Sequence, residues 1–193
     1  MRIVKLMLLV LAASLANMAA AQEMGDDGLH KQPWFADTFL DMREDLAEAA
    51  DQGKDLLVIV EQRGCPYCKE MHEVNFNRPE IVDLITDNYS VVQFNLWGDR
   101  EAVDLDGTEM TEKELMRRWR VSFTPTTLFF ASDATPEEAL VFMLPGYFKP
   151  FHHARALEYV ASDAYKDEPN FQRFVQARGD EMRAAGIEVE IWR

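Results

Sequence analysis

The chain has 193 residues, 48% of them apolar and 28% charged, with a formal net charge of −14. That size and balance fit one globular domain with some appended helix, and exclude a membrane-embedded or disordered chain. The acidic excess argues against nucleic acid or an anionic membrane surface as partner, and keeps the chain soluble.

Arg2 and Lys5 precede an apolar run from Leu6 to Leu15, and Ala19-Ala20-Ala21 supplies the small residues of a signal-peptidase site. Residues 1–21 therefore read as a cleaved secretory signal, because the run is far below the roughly 20 residues that span a bilayer. Gln22 to Pro33 is polar and reads as a loose lead-in.

Phe35, Phe39, Met42, Leu46 and Ala49 recur at helical spacing, with Asp41, Glu44, Asp45 and Glu48 on the other face. This predicts an amphipathic lead-in helix from about Trp34 to Gly53. Leu56 to Val60 is a continuous β-branched run, the pattern of a strand buried on both faces. Two cysteines, Cys65 and Cys68, follow it directly in E-Q-R-G-C-P-Y-C-K-E. They therefore sit at the carboxyl end of a central strand.

Lys69 to Val74 continues helically, Pro79 opens a helix over Glu80 to Thr86, and Val91 to Leu96 forms a second strand. Asp106-Gly107 marks a small hairpin, since this pair favours positive φ angles. Calcium is rejected there, because Ala102 and Lys113 stand where two essential ligands belong. Thr111 and Glu114 form a capping box that starts a helix through Trp119. Thr126–Phe130 and Leu140–Leu144 read as strands joined through Ala134-Thr135-Pro136. A helix follows from Pro150 to about Ala164, and Phe171, Phe174, Val175 and Met182 predict one more. Ile187, Val189 and Ile191 alternate like an edge strand.

Four chemistries compete for the cysteine pair. A structural staple between residues three apart closes so small a loop that it contributes little. A zinc site needs two further ligands, and His30, His72, His152 and His153 form no second spaced couple. A copper-binding module would use the same thiols, but the methionines form no soft-ligand cluster. The redox reading follows from placement: Cys65 at the first turn of a helix is stabilised as a thiolate, and Cys68, one turn on, resolves the mixed disulfide. Pro66 fixes φ at the helix start, and Tyr67 lies beside the sulfurs.

A strand, then C-x-x-C opening a helix, then Ser122-Phe123-Thr124-Pro125-Thr126-Thr127 before a strand resembles the thioredoxin superfamily over roughly Leu56 to Ala161. The resemblance implies an α/β thioredoxin-like fold, with a central mixed sheet flanked by helices, over residues 34–164. The lead-in helix precedes the sheet, and residues 165–193 form a C-terminal helical extension. It further implies that Pro125 is cis against a redox-active disulfide, that Thr124 pairs with the substrate backbone, and that no other cofactor is used.

G-C-P-Y-C-K, F-T-P-T and the Asp-Gly insertion together look like periplasmic thioredoxins of the SoxW type, associated with sulfur oxidation. That likeness implies a monomeric periplasmic reductase, recharged by a membrane thiol transporter and acting on a protein disulfide. The alternative is a disulfide oxidase or isomerase; the oxidase's long helical insertion and the isomerase's dimerisation domain both lack room here.

Some positions depart from the resemblance. Gly64 replaces a tryptophan, Pro66-Tyr67 replaces Gly-Pro, and Ile59 stands where a buried acid is expected. Glu61, the nearest acid, is the candidate proton partner, against its reading as a solvated residue at a strand end. His72 reads as a surface histidine.

Overall fold

The computed structural model describes residues 23–189. The expected signal segment, residues 1–21, lies outside the described residues, as do Ile191 and Trp192.

The described chain opens on a two-residue hairpin, β1 (Glu23–Met24) against β2 (His30–Lys31), where a loose lead-in was expected. Asp27 turns it, accepting from the Leu29 backbone N–H at 3.0 Å and from Lys31 Nζ at 2.7 Å. The lead-in helix is also shorter than expected: α1 runs Met42–Asp51. Asp41 sets its start by accepting from the N–H groups of Arg43 and Glu44, and Leu40 beside it has φ 63°. Trp34 to Asp41 is not helical, and Phe39, read as part of the apolar stripe, is 96% exposed.

The main sheet has the order β4-β3-β7-β8, with β3 at Asp55–Glu61, β4 at Tyr89–Asn95, β7 at Thr126–Phe130 and β8 at Leu140–Pro145. Strands β3 and β4 are parallel, and the other two pairings are antiparallel. The remaining helices are α2 (Pro66–Glu70), α3 (Pro79–Asn88), α4 (Glu112–Arg118), α5 (Pro150–Ala161), α6 (Ala164–Asp167) and α7 (Phe171–Ala184). A second hairpin, β5 (Glu101–Val103) and β6 (Glu109–Thr111), turns near Asp106-Gly107 as its sequence predicts, with Gly107 at φ 82°. No strand forms over 187–189.

Strand alternation divides the core in two. Leu56, Val58 and Val60 face α1 and α4, packing with Leu46, Phe94, Leu115 and Phe130. Leu57 and Ile59 face the other way, with Met71, Phe76, Ile81, Ile85 and Leu157. Glu61 is two residues beyond Ile59, so the pleat turns it toward the same layer, beneath the cysteine helix.

Candidate active site

Cys65 is the N-cap of α2, and its Sγ accepts the Cys68 backbone N–H at 3.0 Å. Pro66 occupies the first helical turn, where its missing N–H removes no helix bond. Cys65 and Cys68 are joined as a disulfide, with their Cα atoms 5.2 Å apart. Cys68 is wholly buried, while Cys65 keeps 5% of its surface exposed. That asymmetry suits an attacking thiol and a resolving thiol.

The helix does not continue regularly past Glu70. Met71–Asn75 is a π-helical turn, closed by Phe76 N–H to Met71 O at 3.0 Å. Such bulges often accompany functional sites, and this one carries His72 and Asn75, both buried.

From the opposite side, the Thr124–Pro125 peptide is cis, and Thr124 Oγ1 lies 3.4 Å from Cys65 Sγ. The loop is anchored behind the site by Gly146 N–H donating to Pro125 O at 2.7 Å. Thr124 therefore lies against the disulfide, with the cis Pro125 next to it in the chain and Pro66 and Tyr67 between the two cysteines on α2. Tyr67 is 59% exposed and stacks on Tyr147, whose hydroxyl donates to Asn75 Oδ1 at 3.2 Å. Burial and the neighbouring Glu70 push the Tyr147 phenol up to about 12, so it stays a donor.

His72 departs furthest from the sequence reading, and Glu61 is not the solvated residue that its other reading offered. Neither is solvated: Glu61 is wholly buried and His72 is 1% exposed. Glu61 Oε1 and His72 Nε2 are 2.8 Å apart. Glu61 Oε2 accepts from Gln93 Nε2 at 2.6 Å, and Gln32 Nε2 stands 3.1 Å from His72 Nδ1. A buried carboxyl group without such partners would be costly, and this one has a nitrogen partner at each oxygen. His72 was misread because its burial depends on the β1–β2 hairpin and Phe35 folding over it, which helical spacing alone does not reveal. A signal was present in Gln93, a polar residue inside an otherwise apolar strand.

A second buried histidine, His153 on α5, takes Asn75 Nδ2 at 2.6 Å from its Nδ1, while its Nε2 has no partner. Burial pushes its imidazole down to about 4, so it is neutral. Among the described residues, no group of three or more His, Cys, Asp or Glu side chains could hold a metal ion.

Residues 42–161 match the family described as Thioredoxin-like domain. The chain belongs to that family. Among solved structures, this thioredoxin-like chain is similar to a thioredoxin-fold protein from Helicobacter pylori, with a TM-score of 0.58 and 22% identity over 76% of this chain and 92% of that one. It also aligns with a thioredoxin from Thermus thermophilus (TM-score 0.49, 26% identity, 62% and 83% covered) and with the oxidised C-terminal domain of DsbD from Neisseria meningitidis (0.44, 18%, 64% and 96%). No curated protein matches the chain. With the Cys65–Cys68 disulfide in place, the thioredoxin-like chain is a thiol:disulfide oxidoreductase.

Proposed function

We propose that the protein is an exported periplasmic reductase of the SoxW type, which reduces a protein disulfide in a sulfur-oxidation system and is recharged by a membrane thiol transporter. The observation that carries the exchange chemistry is the asymmetric disulfide, with Cys65 edge-exposed against Thr124 and Cys68 sealed behind it. Direction is supported by what surrounds it. Only Phe76 to Arg78 separate the π turn from α3, so the oxidase's helical insertion is absent from the described residues after the motif. A reductase in a compartment kept oxidising needs electrons delivered across the membrane, which is the reason for the transporter.

In the dithiol form, Cys65 thiolate attacks one sulfur of the partner disulfide, and the partner's other sulfur leaves as a thiolate and takes a proton. Cys68 then loses its proton and attacks Cys65 Sγ, which closes the Cys65–Cys68 disulfide and releases the partner's second thiol. Two electrons and two protons pass to the partner. The Cys68 N–H already directed at Cys65 Sγ stabilises the attacking thiolate. Thr124 and Pro125 hold the partner segment in line, with Pro66 and Tyr67 forming the near wall. Glu61 is the acid–base partner for Cys68: the pleat keeps it on the face where the family places its acid at the position of Ile59.

Reduced protein is expected to cleave an accessible disulfide, and Cys65→Ser to abolish this. Cys68→Ser should trap the partner at Cys65 for identification by mass spectrometry. Full activity in Cys65→Ser would refute the exchange role, and a potential near that of strong oxidants, about −120 mV, would refute the direction.

A further inference from the structure

Strand order puts the cysteine loop between two other loops. Strand β3, which leads into Cys65, lies between β4 and β7. The end of β3 meets the end of β4 and the start of β7: Glu61 is opposite Asn95, and Val60 is opposite Thr126. The chain leaving β4 and the chain entering β7 therefore flank the cysteine loop at one edge of the sheet. Trp97 is on the first flank and Phe123 on the second.

Each flank is fastened to the disulfide loop. On one side the Leu96 N–H donates to Glu61 O at 2.8 Å, and the Trp97 indole Nε1–H donates to Gln62 Oε1 at 2.8 Å. The Gln62 carbonyl in turn accepts from the Cys65 N–H at 3.3 Å. On the other side Phe123 precedes Thr124, whose hydroxyl touches Cys65 Sγ, and the Phe123 carbonyl accepts from Thr126 Oγ1 at 2.8 Å.

Four Phe, Tyr or Trp side chains are exposed among the described residues, and three of them, Tyr67, Trp97 and Phe123, belong to these flanks or to α2. Trp97 is 67% exposed although its indole N–H is bound. A single exposed apolar side chain is ordinary surface, but three around one sulfur forgo burial that a partner can restore.

We propose that Trp97 and Phe123 are specificity-determining residues, which select a partner whose cysteine lies in an extended polypeptide segment with apolar side chains on both sides of it. The inference rests on the exchange role of Cys65 proposed above and leaves its covalent steps unchanged. Neighbouring strands are about 5 Å apart, and side chains two residues apart on an extended segment are about 7 Å apart on one face. A segment that crosses the strand ends with its cysteine at Cys65 therefore brings the residues two before and two after that cysteine to the two aromatic flanks. An indole fixed by its own hydrogen bond loses little freedom when it is covered, which favours contact there.

The test uses the reduced full chain and two disulfide-linked peptide dimers, identical except at the positions two before and two after the cysteine, which are leucine in one and serine in the other. The rate of reduction at limiting peptide gives kcat/KM for each. The leucine dimer should be reduced about tenfold faster, a modest part of what covering two large apolar side chains gives. Trp97→Ala should lower that preference to about threefold, and Trp97→Ala combined with Phe123→Ala should bring it to about one. Phe39→Ala removes the fourth exposed aromatic, on the loop before α1, and should leave the preference at its wild-type value. Equal wild-type rates for the two dimers would overturn the proposal, as would a double variant that keeps the wild-type preference or an equal loss in Phe39→Ala. Each preference is a ratio within one protein, so a variant of lower overall activity still decides the question. Failure of the wild-type protein to reduce either dimer would instead refute the exchange role.

Discussion

Thr124 Oγ1 reaches Cys65 Sγ at 3.4 Å across 59 residues of sequence, the one side-chain hydroxyl among the described residues that hydrogen-bonds this sulfur. In the dithiol form that hydroxyl donates to a thiolate rather than to a disulfide sulfur, and a donor to the charged form favours it. Thr124→Val keeps the β-branched shape and removes the donor. The Cys65 alkylation rate in reduced protein should fall about threefold near neutral pH, the effect of a weak bond to sulfur worth under 1 kcal/mol. An unchanged rate would mean that the hydroxyl does not stabilise the thiolate.

Gly98 is held to glycine by a charge. A Cβ there would sit 2.0 Å from Glu112 Oε2, and that buried carboxylate is already bound by the Asn95 N–H at 2.9 Å and by Arg100 Nη2 at 2.6 Å. Gly98→Ala must displace it from its partners, and leaving a buried carboxylate short of them costs about 2 kcal/mol. Urea unfolding should show that loss. Gly64 has a different constraint: its φ is 72° but its Cβ direction is open. Gly64→Ala should therefore cost only about 1 kcal/mol of left-handed strain. Equal losses in the two variants would contradict this distinction.

The fold was legible where one segment carries its own signal. The β-branched run of β3, the proline starts of α2, α3 and α5 and the Thr111–Glu114 capping box each specify local geometry, and each formed. C-P-Y-C and T-P marked the sulfurs and their cis proline. What escaped notice depends on contacts distant in sequence. His72 meets Gln32 from 40 residues away, and Gln93 meets Lys31 across 62. A histidine on a short amphipathic segment has no period that distinguishes a covered face from a wet one. The α1 start was misplaced for a related reason. Phe35 continues the helical spacing but spends its backbone on a bridge to Val91, which outweighs the weak propensity of Trp34 to Asp41 for helix.

Asp45 should make the protein less stable as pH rises. It is buried on α1, its Oδ1 accepts from Thr38 Oγ1 at 2.5 Å and its Oδ2 has no partner. Burial pushes its carboxyl up to about 6, against an ordinary value of 3.8. Between those values the folded state holds the proton and the unfolded state does not, so stability falls as pH rises through this window. Asp45→Asn removes the charge and keeps an acceptor for Thr38. It should stabilise the protein by roughly 1 kcal/mol at neutral pH, after allowance for screening, and by nothing below about pH 4. Chemical denaturation at the two pH values checks this, and a gain at low pH alone would contradict it.

His153 should act in the opposite direction. Its imidazole is pushed down to about 4 by complete burial, from 6.5 in an unfolded chain. Between these values the unfolded state binds the proton and the folded state does not, so stability falls as pH drops from 6.5 toward 4. The full loss below that range is about 3 kcal/mol. His153→Leu removes the dependence. At neutral pH it forfeits the bond from Asn75, whose Nδ2 still donates to Phe148 O at 2.9 Å, so the cost there is about 1 kcal/mol. The unfolding free energies of wild type and variant, measured from pH 7 downward, should therefore cross, with the variant the more stable in acid. Parallel curves would show that His153 is not the group whose protonation opens the fold. The crossing also separates His153 from Asp45, because Asp45 gains its proton in the folded state over the same range and offsets part of the acid loss in both proteins.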